Sequence, residues 1–156
     1  MKILALLLSI TLAFGQDTEY QSLAACTRDL VGEYGERDSI KVFQEGKIEE
    51  RIPSYIDELY YTNKTEGEET KQAYSELQNE LTMNKEAKAA WDIVARGKGE
   101  NMEGVMDAAH RLDVLLGGDE RELVSARFWG WVRKYWKKIV KAIIIIVRAI
   151  FKSWFK

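Results

Sequence analysis

The sequence predicts an all-α fold: a small acidic helical bundle, or a set of loosely packed helices, followed by a long C-terminal amphipathic helix. Three observations predict it. Apolar residues recur at spacings of three and four through much of residues 16–127. Glycines punctuate that pattern where helices should stop, at Gly97 and Gly99 and again at Gly117-Gly118. Over residues 128–156, helical projection gathers every cation on one side.

Taken in order, residues 1–15 read as a secretory signal peptide. Lys2 is a short positive n-region and Ile3 to Leu12 an apolar run. Ala13-Phe14-Gly15 then places small residues at the −3 and −1 positions of a cleavage site after Gly15. Ten helical residues span about 15 Å, half a bilayer core, which is too short for a retained membrane span. The expected localisation is therefore secreted. Export in turn makes Asn63, in the triplet Asn63-Lys64-Thr65, a candidate glycosylation acceptor.

Residues 16–127 read as an acidic helical propiece. Asp17 and Thr18 can cap a first helix carrying Tyr20, Leu23, Ala24, Leu30, Val31 and Tyr34 near one face. Pro53 suits the first turn of a short helix through Ile56, Leu59 and Tyr60, because its missing N–H costs nothing there. Asn63-Lys64-Thr65-Glu66-Gly67 reads as a turn. One longer helix follows, with Tyr74, Leu77, Leu81, Trp91 and Val94 as its stripe, and ends at Arg96-Gly97-Lys98-Gly99. A last helix carries Met102, Val105, Met106, Ala109, Leu112 and Leu116 and stops at Gly117-Gly118.

Chemistry is hard to place in this region. The chain has one cysteine, Cys26, and one histidine, His110, so neither an intramolecular disulfide nor a zinc site of the usual Cys/His type can form. No phosphate-binding loop, dinucleotide fingerprint, nucleophile elbow or zinc-protease motif occurs. The expectation is no enzyme, no catalytic residue, no metal and no cofactor. The acid pairs Glu49-Glu50 and Glu68-Glu69 read as solvated faces, His110 as a packed or surface side chain, and Cys26 as a small buried apolar residue.

Charge separates the chain sharply. Residues 16–127 hold all 25 acids against 14 bases, a net of −11, whereas residues 128–156 hold 8 bases and no acid. Asymmetry of that size points the basic part toward an anionic partner. On a helix at about 100° per residue, Arg133, Lys134, Lys137, Lys138, Lys141, Arg148, Lys152 and Lys156 fall within an arc of about 140°. They form a cationic face for membrane binding. A strand would scatter them, since Arg133 and Lys134 would alternate sides. The opposite arc includes Trp136, Ile139, Ile143, Ile146, Ile150 and Trp154, which with Trp129 and Trp131 form the expected membrane-inserting set. The polar face is interrupted, because Ile144, Ile145, Phe151 and Phe155 fall inside or beside the cationic arc. Four consecutive isoleucines also favour strand over helix, so full helicity is expected on a membrane or on a partner segment.

Each base near an anionic lipid surface is worth about 1 kcal/mol, so eight set a ceiling of about 8 kcal/mol before screening. Aromatic residues at both ends suit the headgroup region. The layout of signal peptide, acidic propiece and C-terminal basic helix resembles precursors of linear cationic α-helical antimicrobial peptides. The likeness is one of organisation over the chain, and the segments that match by residue type are Met1–Gly15 and Phe128–Lys156. It implies a host-defence peptide released by proteolysis, with Arg127 as a monobasic cleavage point. Its partners would be anionic lipid membranes such as a microbial surface, a processing protease, and further copies of itself within the membrane, with no nucleic acid. Two other functions fit the same residues: a secreted helical protein held on a membrane or a partner by its basic helix, and a cytolytic toxin precursor.

Overall fold

Ser22 opens the first helix of the structure. Its Oγ accepts a hydrogen bond from the Ala25 N–H at 3.1 Å, satisfying one orphan donor of α1 (Leu23–Tyr34). The computed structural model describes residues 22–97, 99–117 and 126–154, with side chains of the final helix from Tyr135 onward. The signal-peptide segment and the capping residues expected at Asp17 and Thr18 lie outside these residues. Seven α-helices and no strand are present among them, so the fold is all-α.

Gly35, at φ +90°, separates α1 from α2 (Glu36–Glu45) in a conformation that side-chain-bearing residues avoid. The sequence pattern does not announce α2. Its apolar content is confined to Ile40, Val42 and Phe43, too little to establish a helical period. The next helix, α3, runs from Ile48 to Thr62 (Ile48–Thr62), so Pro53 lies inside it and not in its first turn. There the Glu49 carbonyl has no N–H to receive from residue 53. Pro53 faces solvent, where water can serve that carbonyl.

The expected turn at Asn63–Gly67 is instead a helix cap and a first turn. Asn63 Oδ1 accepts from the Glu66 N–H at 3.1 Å and starts α4 (Lys64–Met83). Gly67 lets α4 press against α3, since a Cβ there would stand 3.0 Å from the Tyr60 nitrogen. The single long helix expected next is two. Asn84 Oδ1 accepts from the Ala87 N–H at 3.1 Å, closing α4 and opening α5 (Lys85–Arg96). Gly97 then caps α5 in the left-handed region at φ +61°. Asn101 caps α6 (Met102–Leu112), which continues as a π turn over Asp113–Gly117.

The last helix, α7 (Ala126–Trp154), runs unbroken through the four isoleucines. It is no appendage. It packs against α1, α2, α3, α4 and the π turn. Trp136, Ile139, Val140, Ala142, Ile143, Ile144, Ile146, Val147, Ile150 and Phe151 are each at most 5% exposed. Apart from Ala142, those side chains belong to one continuous core with Leu23, Phe43, Ile52, Leu77, Trp91 and Leu112. The helix that projects as amphipathic is the helix around which the acidic part is wrapped.

Candidate functional site

The candidate site is α7 together with the acidic helices that hold it. Hydrophobic burial seats the helix, and polar contacts along its described length fix its position. In its first half, Trp136 Nε1–H donates to Asp113 Oδ1 at 2.8 Å. The same carboxylate accepts from the backbone N–H of Leu23 at 2.7 Å and of Ala24 at 2.8 Å. Asp113 therefore caps the start of α1 from the π turn while gripping α7. Burial raises its pKa above the ordinary carboxyl value of 3.8, and the three donated hydrogen bonds only partly oppose that rise.

Two residues along, Lys138 Nζ stands 2.8 Å from Glu69 Oε2 and 3.2 Å from Glu66 Oε2, with its side chain 15% exposed. Burial alone would lower this ammonium's pKa. The hydrogen bonds and charges of Glu69 and Glu66 outweigh it and hold the pKa above the usual lysine value. Lys141 reaches Glu66 more loosely, at 3.9 Å. Toward the other end, Arg148 Nη1 lies 3.4 Å from Glu33 Oε2 and Nη2 lies 3.8 Å from Asp29 Oδ2. Beside that pair, Phe151 stacks on Tyr34 with centroids 3.8 Å apart and planes 9° from parallel. Lys41 sits 5.1 Å from the Trp154 ring centroid.

Of the expected cationic face, Lys138, Lys141 and Arg148 thus meet acids of the bundle, while Lys137 and Lys152 are exposed. The side chains of Arg133, Lys134 and Lys156 lie outside the described set. Of the expected inserting residues, Trp136, Ile139, Ile143, Ile146 and Ile150 are buried within the chain, and Trp154 is 36% exposed. The side chains of Trp129 and Trp131 are not among those described. The interruption of the polar face has a structural counterpart: Ile144 and Phe151 are buried because the bundle covers α7 on that side too.

The proposed cut at Arg127 falls in the first turn of α7, which begins at Ala126, so a protease would have to unwind that turn. Gly15 lies outside the described residues. Asn63 is exposed, with its side-chain carbonyl engaged as the cap of α4. Glu49 accepts from Arg96 Nε at 2.6 Å, and Glu69 binds Lys138, so one member of each acid pair has a partner where a solvated face was expected. Cys26 is buried, in keeping with its apolar reading, and His110 is exposed.

Sequence reasoning missed Asp113, Glu66, Asp29 and Glu33. The opposed net charges signalled that acids would meet α7, but nothing in the order of residues indicated which ones. Among the described residues no cluster of His, Cys, Asp or Glu could hold a metal ion, and no helix is long and apolar enough to cross a membrane. No protein-family model, no curated protein and no solved structure matches the chain.

Proposed function

We propose that the chain is the secreted precursor of a membrane-disrupting, antimicrobial peptide comprising residues 128–156, and that the acidic helices are its mask. One observation carries this reading. The basic helix runs unbroken to Trp154, with most of its described apolar side chains from Trp136 to Phe151 buried and Lys138 and Arg148 neutralised by acids of α4 and α1. The same two faces would bind an anionic bilayer, one by charge and the other by burial. Occupying most of both within one chain leaves little apolar surface for lipid to bind, although Lys137 and Lys152 stay exposed. A cut after Arg127, in the first turn of α7, followed by transfer of the helix to lipid, would expose both faces together.

The test compares dye release from anionic and zwitterionic vesicles caused by the synthetic peptide Phe128–Lys156, with and without residues 16–127. The expected result is leakage of anionic vesicles that weakens with salt and is suppressed by the acidic part. Stable binding without leakage would favour a membrane anchor instead. Burial of Ile144 and Phe151 on the cationic side supports one other reading, a secreted helical protein in which α7 is permanent core. Mass spectrometry of secreted material separates the two: a released tail supports the precursor, and an intact chain supports the permanent core.

A further inference from the structure

A cut ahead of α7 removes a tether and none of the contacts that seat the helix. We propose that the severed helix stays in the acidic bundle as a two-piece complex, and that an anionic bilayer surface, not the cut, draws it out. This rests on the precursor reading and changes its last step, because proteolysis then arms the molecule without unmasking it.

Burial carries the first half. Ile143, Val147 and Phe151 are inaccessible to solvent, and all lie beyond any cut made ahead of α7. The neighbours of α7 are α1 to α4 and the π turn, all on the other piece. An interface of this kind resembles a domain core divided in two, the pattern of permanent complexes rather than transient ones. Cutting turns an intramolecular contact into a bimolecular one, which lowers the effective concentration of the helix but leaves each contact in place.

Charge carries the second half. Lys137 and Lys152 are exposed while the helix is seated, so a negative surface can meet it before it moves. Among the described cations, Lys138, Lys141 and Arg148 must change partners, from Glu66, Glu69, Glu33 and Asp29 to anionic headgroups. A zwitterionic surface offers no net charge for that exchange. The helix's apolar face passes from protein core to acyl chains, while the core residues of α1 to α4 that it covered are left facing water, a cost that charge exchange and acyl burial together must outweigh.

The experiment uses residues 16–156 with a specific protease's recognition sequence in place of residues 119–125, compared before and after complete cutting. The two pieces are expected to co-elute at the volume of the uncut chain, with tryptophan emission unchanged. Flotation with vesicles of equal parts phosphatidylglycerol and phosphatidylcholine is expected to carry up the α7 piece and leave the acidic piece behind. Phosphatidylcholine alone should move neither. Pieces that separate or precipitate on cutting, or that remain together on anionic vesicles, would overturn the proposal. A Glu66→Gln, Glu69→Gln chain should reach half-release at severalfold less phosphatidylglycerol, and an unchanged requirement would remove the exchange of charges from it. Dye trapped in the same vesicles keeps the two readings apart. Helix drawn out with no leakage upholds this inference and defeats the membrane-disrupting function.

Discussion

Three N–H donors from two distant segments converge on the Asp113 carboxylate, which is replaceable only by a group that can also accept from all three. Asparagine cannot. Its amide nitrogen would face the Ala24 N–H, or the pair of donors at Oδ1, and leave at least one donor without an acceptor. A buried orphan of that kind costs about 1–3 kcal/mol. Asp113→Asn should therefore lower stability in urea by about that amount and alter the emission of Trp136. The pH dependence has a definite sign. Burial raises this carboxyl above 3.8, so the folded chain binds the proton more tightly than the unfolded one. Its contribution is fully present below 3.8 and diminishes as pH rises through the folded pKa. The stability difference between the native chain and Asp113→Asn should thus be larger in acid than at neutral pH. Urea titrations across that range check it, and a difference that grows with pH would contradict the desolvation that sets the shift.

Helix ends show which parts of the fold could be read from the sequence. The stop at Gly97 was legible because a glycine after a periodic stretch has a local cause for ending a helix, while the stop expected at Gly117-Gly118 runs beyond the described residues. Asn63 and Asn84 were not, since an asparagine serves equally well in a turn and as an N-cap, and only the bonded N–H of Glu66 or Ala87 decides. Pro53 misled for a related reason: proline prefers a first turn, but on the exposed side of α3 its missing bond is bearable. Pro53→Ala should restore an N–H for the Glu49 carbonyl and stabilise the chain by about 2 kcal/mol, reduced somewhat by the looser unfolded state. Thermal unfolding reads the change directly. Gly97→Ala should act the other way. At φ +61° a Cβ is disfavoured, and it would strike the Gln44 backbone, which no rotamer can relieve. A loss above 1 kcal/mol is expected in the same melts. The cationic arc of α7 was equally legible, because angular position within one helix depends on that helix alone. Its acidic partners were not, because Lys138 and Glu66 are 72 residues apart and only tertiary packing unites them.

Charge segregation invites a division of the chain into an acidic unit and a basic peptide, yet the core belongs to both. Among the described residues, nine large apolar side chains of α7 are buried, each worth about 1.5–3 kcal/mol. Even after allowing for a compact unfolded state, their loss is comparable to or greater than the entire stability of a typical domain, about 5–15 kcal/mol. Residues 16–127 alone should consequently keep helical content while losing cooperative unfolding, and should bind a dye that reports exposed apolar surface. Adding the synthetic peptide Phe128–Lys156 should restore a sigmoidal urea transition and displace the dye at close to one peptide per chain. Loss without rescue would mean that α7 seats only during folding of the intact chain. A sharp transition for residues 16–127 alone would show that the acidic helices have a core of their own and that the basic helix rests on it. The urea profile of the truncated chain therefore decides whether mask and masked helix are two folded parts in contact or two halves of one.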